Sequence, residues 1–383
     1  QLWRWRWMIR HTKPVRANWQ SIVEGQGLTY HTVDGQPYYD ESVYYEFNAK
    51  QIDQIEADTN EIHRINLEAV QNVIDNHRYD ELQIPEVAIP LIEWTWNNET
   101  PAVYGRYDLH YDGKNPSKML ENNGDTPTGL IEAAVIQWFW LEECFKGKDQ
   151  FNSIHERLIA KWKELVAYLL LGPLHLTHMD SNEDYMNVKY MEEVASQAGL
   201  KTKCLPIEEI GWDKIDQCFL DEDLSVIRNI FKLYPWEWLL KDRYAANMAA
   251  TMKNTYWIEP AWKMILSNKG ILPILWELNP GHPNLLPAYF NQNCLNEYVK
   301  KPLFSREGAN IEIVAGDASI KTLGKYGTGK YIYQQYCAPP NFDGNYPVIG
   351  SWVIDGESAG IGIRESNTLV TGNFSRFVPH LFN

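Results

Sequence analysis

Apolar and polar positions repeat along this chain with two periods. Between residues 49 and 78, Ile52, Ile55, Ile62, Ile65, Val70 and Val73 recur every three to four positions. This predicts one long amphipathic helix with Asn48 as its cap. Upstream, residues 29–46 alternate aromatic and polar and turn at Asp34-Gly35 and Gln36-Pro37, the pattern of a small hairpin. Ile89-Pro90 and Trp94-Thr95-Trp96 lead into a second hairpin within Tyr104–Thr128, folded about Asp112-Gly113-Lys114-Asn115-Pro116. Thr126 as N-cap and Pro127 as first helical residue predict a helix from there to Phe145, with Ile131, Ala134, Val135, Trp138, Leu141 and Cys144 as its apolar stripe.

Beyond it, the pattern predicts a helix over 151–169 and a strand over 173–179. A helix over 184–198 stops at Gly199, and strands cover 201–205 and 226–234. Pro235 opens a further helix, and Ile258-Glu259-Pro260 begins another helical stretch. Strands alternating with helices predict an open, largely parallel α/β layer. From about 299 the texture changes to short strands at 298–303, 310–314, 330–336, 346–354, 358–364 and 368–371, which read as an antiparallel, separate lobe. The class is therefore α/β with α+β character.

The 383 residues, 44% of them hydrophobic and 13% aromatic, suffice for a sizeable core divided over two or three lobes. A net charge of −15 argues against bulk nucleic-acid binding and is compatible with a cationic small molecule. The five cysteines, Cys144, Cys204, Cys218, Cys294 and Cys337, are dispersed without metal-ligand spacing, which fits a reducing cytoplasm. No apolar run reaches membrane-spanning length, and no membrane partner is expected. Gln1 to Trp7, QLWRWRW, reads as a leader ahead of Met8. It is basic and aromatic enough to touch a membrane surface, and it lacks the apolar stretch of a signal peptide.

Side chains two apart on a strand share a face. Arg106 and Asp108 therefore point one way, and Glu121 and Asn123 can join them if the hairpin closes around 113–116. Two carboxylates and an amide make a hard-oxygen site suited to Mg²⁺ with water and phosphate ligands, and an arginine beside them suits an anionic substrate. Spacing alone leaves a polar, solvent-facing hairpin as the simpler reading.

Lys301 ends a strand just before the loop Phe304–Asn310, which contains Gly308 and could close its amides over phosphates. Lys269 is a second phosphate candidate, and Tyr333-Gln334-Gln335 could offer backbone groups to an adenine edge. Arg364 lies on a strand whose Gly360 and Gly362 allow close approach. Each has a plain alternative: a solvated lysine, or an arginine paired with Glu357 or Glu365. His63 and His77 read as surface or boundary histidines, and His175 and His178 as structural. Trp94 and Trp96 read as packing, with a sugar- or base-stacking role as the rival.

The runs GRYDL, MLENNGDTPTGL, FKLYPWEW, SNKGILPILWE, GHPNLLPAYF, KKPLFSREGANI, IGSWVIDGESAGIGIRE and SRFVPHLF resemble the synthetase half of the glutathionylspermidine synthetase family, an ATP-grasp group. The resemblance runs from about residue 10 to the C-terminus and is nearest to stand-alone members described as acid–amine ligases. It implies a pre-ATP-grasp-like region over 10–255, containing the hairpin 103–128, and an ATP-grasp nucleotide-binding region over 256–383 with a covering loop at 303–310. It implies that Asp108, Glu121 and Asn123 hold Mg²⁺ and that Arg106 lies beside the reacting acid and phosphate. Lys269 and Lys301 would bind ATP phosphates, with Ser305, Gly308, Gln334 and Gln335 around the nucleotide. Thr126 and Thr128 stand where the family has serines touching the acid, and Arg364 where an arginine steadies the transferring phosphoryl group.

The implied activity is ATP-dependent amide formation through an acyl phosphate. The acid would be glutathione or another peptide or amino acid, and the amine a polyamine or a related amine. Asn122 replaces an aromatic and threonines replace serines, so the acid need not be glutathione. There is no room for the family's N-terminal amidase domain. The rival readings are a nucleotide-binding sensor or partner protein without ligase activity, and a Trp-rich carbohydrate binder.

Overall fold

The computed structural model describes residues 8–292, 295–372 and 375–383. The leader read at Gln1–Trp7, and Cys294, lie outside the described residues.

The long helix forms at Ala49–Asp75. Asn48 accepts from the Gln51 backbone N–H, and the Gln51 side chain caps Asn48 in return. All six of its expected apolar positions are buried. The helix packs on a five-stranded antiparallel sheet ordered Arg376–Val378, Glu357–Ser366, Tyr346–Ile354, Tyr104–His110 and Lys118–Asn123. Thr59 ties helix to sheet through Ser351 Oγ at 2.7 Å. The hairpin at Tyr104–Asn123 is thus the edge of a larger sheet whose other strands come from the far end of the chain.

The expected parallel layer is present. Thr202–Pro206, Leu174–His178 and Asn229–Lys232 pair in parallel, and a fourth strand, Tyr256–Ile258, extends the layer where a helical start was expected. There Glu259 is no helix-opening residue. Its buried carboxylate accepts from the Val103 and Tyr104 N–H groups and pairs with Lys263, which fastens the hairpin's first strand to this layer. The helix Asn182–Gln197 covers the layer, capped by Ser181 and followed by Gly199 at φ +94°, as the sequence predicts. His175 is a buried structural residue on Asp221.

The strands after 298 do not form one sheet. Ala288–Tyr289, Tyr331–Gln335, Tyr298–Pro302, Glu312–Ala315 and Ala318–Lys321 form an antiparallel sheet, whereas Tyr346–Ser366 joins the hairpin. Residues 368–371 make no strand, since Thr368 folds back on Ser366 and Val370. His380–Phe382 runs parallel to Val43–Phe47, so the end of the chain packs beside its beginning. Trp96 is a packing residue, edge-on to Trp262 and donating to Gln71.

One helix start differs from expectation. Thr126-Pro127-Thr128 is not helical, and helical structure begins only at Leu130 after Gly129 at φ +84°. A tertiary contact overrides the local cap. Asp125, fully enclosed, pairs with buried Lys232 at 2.5 Å and accepts from the Trp236 N–H at 2.9 Å. Asn187 Oδ1, from a neighbouring helix, accepts from the Leu130 N–H instead.

Candidate active site

The turn of the hairpin is built by Asp112, whose carboxylate accepts from Lys114 N, Asn115 N and Asn115 Nδ2 at 2.7–2.9 Å. The register that results pairs Arg106 with Asn123 and Asp108 with Glu121, with an irregularity just after Asp108. All four expected side chains therefore share one face at adjacent heights, and Tyr107 and Asn122 face the other way.

On that face Arg106 clamps Asp108 with two hydrogen bonds, at 2.7 and 3.2 Å, and donates to the Thr128 carbonyl. Its stem needs the bare backbone of Gly350, where an added Cβ would stand 2.9 Å from Arg106 Cδ. Lys269 Nζ lies 3.0 Å from Glu121 and donates to Ser305 O at 2.6 Å. Lys301 Nζ donates to Leu120 O and to Gln334 Oε1 at 2.9 and 2.7 Å. Burial, offset in part by Glu121, brings the Lys301 ammonium down to about 8. Burial also opposes charge on Glu121, but Lys269 and Lys301 hold its carboxyl well below the usual range. Burial pushes Asp108 up despite Arg106.

Two cavities meet at Asp108. One, of about 140 Å³, has Lys269, Lys301 and Glu121 at one end and apolar walls such as Val299, Ile311 and Ile313 beyond. Ser305, Gly308, Gln334 and Gln335 also line it. The Gln334 side chain accepts from Lys301 and donates to Met119 O, and the Gln335 N–H donates to Pro287 O at 2.7 Å. The other cavity, of about 210 Å³, is bounded by Arg106, Thr128, Glu183, Glu307 and Arg364. Arg364 donates to Gly372 O at 3.0 Å. Neither expected carboxylate partner holds it, for Glu365 is taken by Arg10, Arg376 and Tyr45, and Glu357 by Arg157. Of the glycines before it, Gly362 lines this cavity. Phe151 and Asn152 occupy the space at Gly360, and the Phe377 ring that at Gly362.

The loop 303–310 lies over the junction. Lys269 fixes Ser305, and Arg306 bridges Glu237 at 2.7 Å and the Thr126 hydroxyl at 3.1 Å. Gly308, at φ +68°, leaves no room for a Cβ beside Thr371 O. Thr126 thus meets the loop, and Thr128 faces the acidic cavity. Sequence reasoning did not single out Arg306, Glu237, Glu183 or Asp184. Burial raises both acids of the last pair, Asp184 to about 6. Their only sequence signal is two acids in a helix first turn after Ser181, an ordinary capping feature.

The donor set at Asp108, Glu121 and Asn123 is hard oxygen throughout. The Asn123 Nδ2 is buried without a hydrogen-bond partner, and its Oδ1 is the atom that would belong to this donor set. No group of three His, Cys, Asp or Glu suited to a metal occurs among the described residues. Two carboxylates and an amide oxygen are the donor chemistry of an ion that keeps phosphate and water ligands rather than of one held in an all-protein cage.

A family profile described as glutathionylspermidine synthase preATP-grasp matches residues 10–383. A Haemophilus influenzae protein described as a candidate acid–amine ligase is 42% identical, covering 96% of this chain and 98% of its own length. Trypanothione synthetase of Crithidia fasciculata is 29% identical over 83% of this chain, and the bifunctional glutathionylspermidine synthetase/amidase of Escherichia coli 28% over 88%. The chain spans only 53% and 58% of those two proteins. Among solved structures, a glutathione synthetase-like effector from Globodera pallida aligns with a TM-score of 0.57 over 95% of this chain and 98% of its own, at 10% identity, a likeness of fold alone. The chain belongs to the glutathionylspermidine synthase family and has its α/β ATP-grasp architecture.

Proposed function

We propose that this protein is an ATP-dependent acid–amine ligase that activates a carboxylic acid as an acyl phosphate and passes the acyl group to an amine. The observation that carries this is the meeting of the two cavities at Asp108, one cationic and apolar, the other lined by Arg106, Arg364 and the acids. Lys269 and Lys301 bind nucleotide phosphates while the apolar strip beyond them receives the base. Ser305 and Gly308 close over the phosphates, and Gln334 and Gln335 wall the same cavity. Arg106 and Arg364 hold the acid's carboxylate and offset the negative charge that gathers as the phosphoryl group moves. Thr126 and Thr128 border the acid. Asp108, Glu121 and Asn123 are the residues that would hold Mg²⁺, which when bound spreads the charge on phosphate oxygens. Glu183 and Glu307 give the second cavity the negative charge an ammonium group needs on arrival.

Residues 10–255 and 256–383 are read as two functional regions, for acid and amine and for nucleotide, although strands from both build the central sheet. Glutathione and a polyamine are the first substrates to try, from the names of the relatives. Among the described residues no helix is long and apolar enough to cross a membrane, and a cytoplasmic site of action is part of the proposal. The test is an ADP-release screen of thiol peptides and amino acids against polyamines and diamines, with thermal shifts by ATP with and without Mg²⁺. ADP released only when acid and amine are both present supports the ligase. A Mg²⁺-dependent ATP shift with no turnover for any pair returns the protein to the sensor reading, and no ATP shift at all to a carbohydrate binder.

A further inference from the structure

Behind the acidic cavity lies a carboxyl group that the chemistry above does not use. Glu132 has no exposed surface and opens a π-helical stretch, Glu132–Ile136, a backbone irregularity frequent at functional sites. Its Oε1 accepts from Tyr38 Oη at 2.7 Å and from Tyr30 Oη at 3.1 Å, and Asn187 Nδ2 in turn donates to Tyr30 Oη. Its Oε2 is buried without a partner. A carboxylate with one oxygen unmet in an enclosed site gains from taking a proton. Burial, opposed by the tyrosine hydrogen bonds, pushes Glu132 up to about 7.

Tyr38 connects this group to the site. Its ring lines the same cavity as Arg106, Thr128, Glu183 and Arg364. The charged and titratable groups around the pair are Tyr30, Glu183 from the helix Asn182–Gln197, Arg106 from the hairpin and Arg364 from the strand Glu357–Ser366. Burial and the Glu132 charge hold the Tyr38 phenol well above its usual range, so it stays neutral and can relay a proton but not store one.

We propose that Glu132, acting through Tyr38, accepts the proton that the attacking amine must lose. The inference rests on the ligase reading above. The amine nitrogen gives a proton to Tyr38 Oη as Tyr38 passes its own to Glu132 Oε1. The freed lone pair closes on the acyl carbon, and phosphate leaves with the electrons of the broken C–O bond. The nitrogen, arriving as an ammonium ion, loses two protons. The first goes through Tyr38 to Glu132 and returns to solvent by the same way as the product departs. The second, shed once the C–N bond has formed, goes to the departing phosphate, which leaves as hydrogen phosphate. Tyr38 is the group that touches substrate, and Glu132 positions and discharges it.

The experiment compares two nucleophiles with the full chain, ATP, Mg²⁺ and glutathione as probe acid. Hydroxylamine is already unprotonated at neutral pH and needs no acceptor, whereas spermidine arrives as an ammonium ion. In Glu132→Gln and in Tyr38→Phe the ratio of spermidine product to hydroxamate is expected to fall by about tenfold or more, and the acid limb of the spermidine rate near pH 7 to disappear. Infrared spectra should show a protonated carboxyl band that titrates near pH 7 in the parent and is absent in Glu132→Gln. An unchanged ratio with the acid limb intact, or no such band, overturns the relay and leaves the ligase reading standing. A parent that makes neither product overturns the ligase reading and the relay with it. If Glu132→Gln fails to fold, Tyr38→Phe, which keeps the carboxyl in place, decides alone.

Discussion

Lys269 joins the hairpin to the covering loop, for its ammonium lies 3.0 Å from the Glu121 carboxylate and 2.6 Å from the Ser305 carbonyl oxygen. Glu121 thereby balances two lysines at once, Lys269 directly and Lys301 through the field. A phosphate chain entering here meets cations that are already in place and an acid able to share a metal.

Replacing Glu121 by Ala removes both the expected metal ligand and the counter-charge of two lysines. Mg²⁺-dependent ADP release should fall by about a hundredfold or more, on the scale of removing one preorganised electrostatic group. The variant should still fold, because Glu121 is half-buried on an edge strand rather than in the core. Turnover equal to that of the parent, in a coupled assay at saturating Mg²⁺, would remove Glu121 from the site.

Arg306 should govern the covering loop. Its guanidinium holds Glu237 and Thr126 from the loop side, so Arg306→Ala leaves Lys269 as the loop's remaining side-chain tether to this site among the contacts described. Amide exchange over 303–310 should speed up in that variant. In the parent it should slow on adding a non-hydrolysable ATP analogue with Mg²⁺, as a closing lid does. Exchange that ignores both the analogue and the substitution would deny the loop any lid function.

Lys301 gives a pH prediction with a definite sign. Burial lowers its ammonium to about 8 in the folded chain, against about 10.4 for a free lysine. Below that value the folded chain carries the cost of the buried charge in full. As pH rises from about 8 towards the free value, the folded state gives up the proton that the unfolded state keeps, so this contribution becomes less destabilising. ATP binding runs the other way, because phosphates need the ammonium. Affinity for ATP should therefore weaken above about pH 8, and Lys301→Met should flatten that limb while binding more weakly throughout. Calorimetric titrations between neutral and alkaline pH measure both, and a parallel alkaline fall in parent and variant would assign the limb to another group.

What could be read from sequence divides along physical lines. The helix at Ala49–Asp75 was legible because period and cap agree locally. The pairing of Asp108 with Glu121 followed from the turn that Asp112 builds. The helix start at Thr126 was misread because a buried pair, Asp125 with Lys232, spans 107 positions and outweighs a local cap. The adoption of Tyr346–Ile354 into the hairpin sheet was equally hidden, since strand pairing across that distance leaves no periodic trace. Lys269, Lys301 and Arg364 were weak candidates by local context, each with a plain alternative, and the family resemblance gave them specific roles. Arg306, Glu183, Tyr38 and Glu132 gain meaning from their neighbours, and no local pattern marks them.

Arg364 carries the sharpest prediction about rate. On a strand, an arginine ordinarily pairs with a carboxylate, and here the two nearest in sequence are occupied, Glu365 by Arg10 and Arg376 and Glu357 by Arg157. Its guanidinium donates to the Gly372 carbonyl, and Arg364 lines the cavity shared with Arg106, Asp108 and Thr128. An arginine so placed can meet charge that builds as the phosphoryl group passes to the acid. Such a group is worth ~3 kcal/mol, about a hundredfold in rate. Arg364→Ala should therefore lower kcat by about that factor with little change in ATP affinity, the signature of an interaction made in the transition state. Arg364→Lys keeps one charge, loses the planar fork, and should recover only part of the rate. A purely structural arginine predicts the reverse, a lower melting temperature with turnover per folded molecule preserved. Calorimetry for ATP binding, a coupled assay for ADP release and a melting curve on the same purified variants separate the two. Near-normal kcat with a lowered melting temperature would take Arg364 out of the reaction.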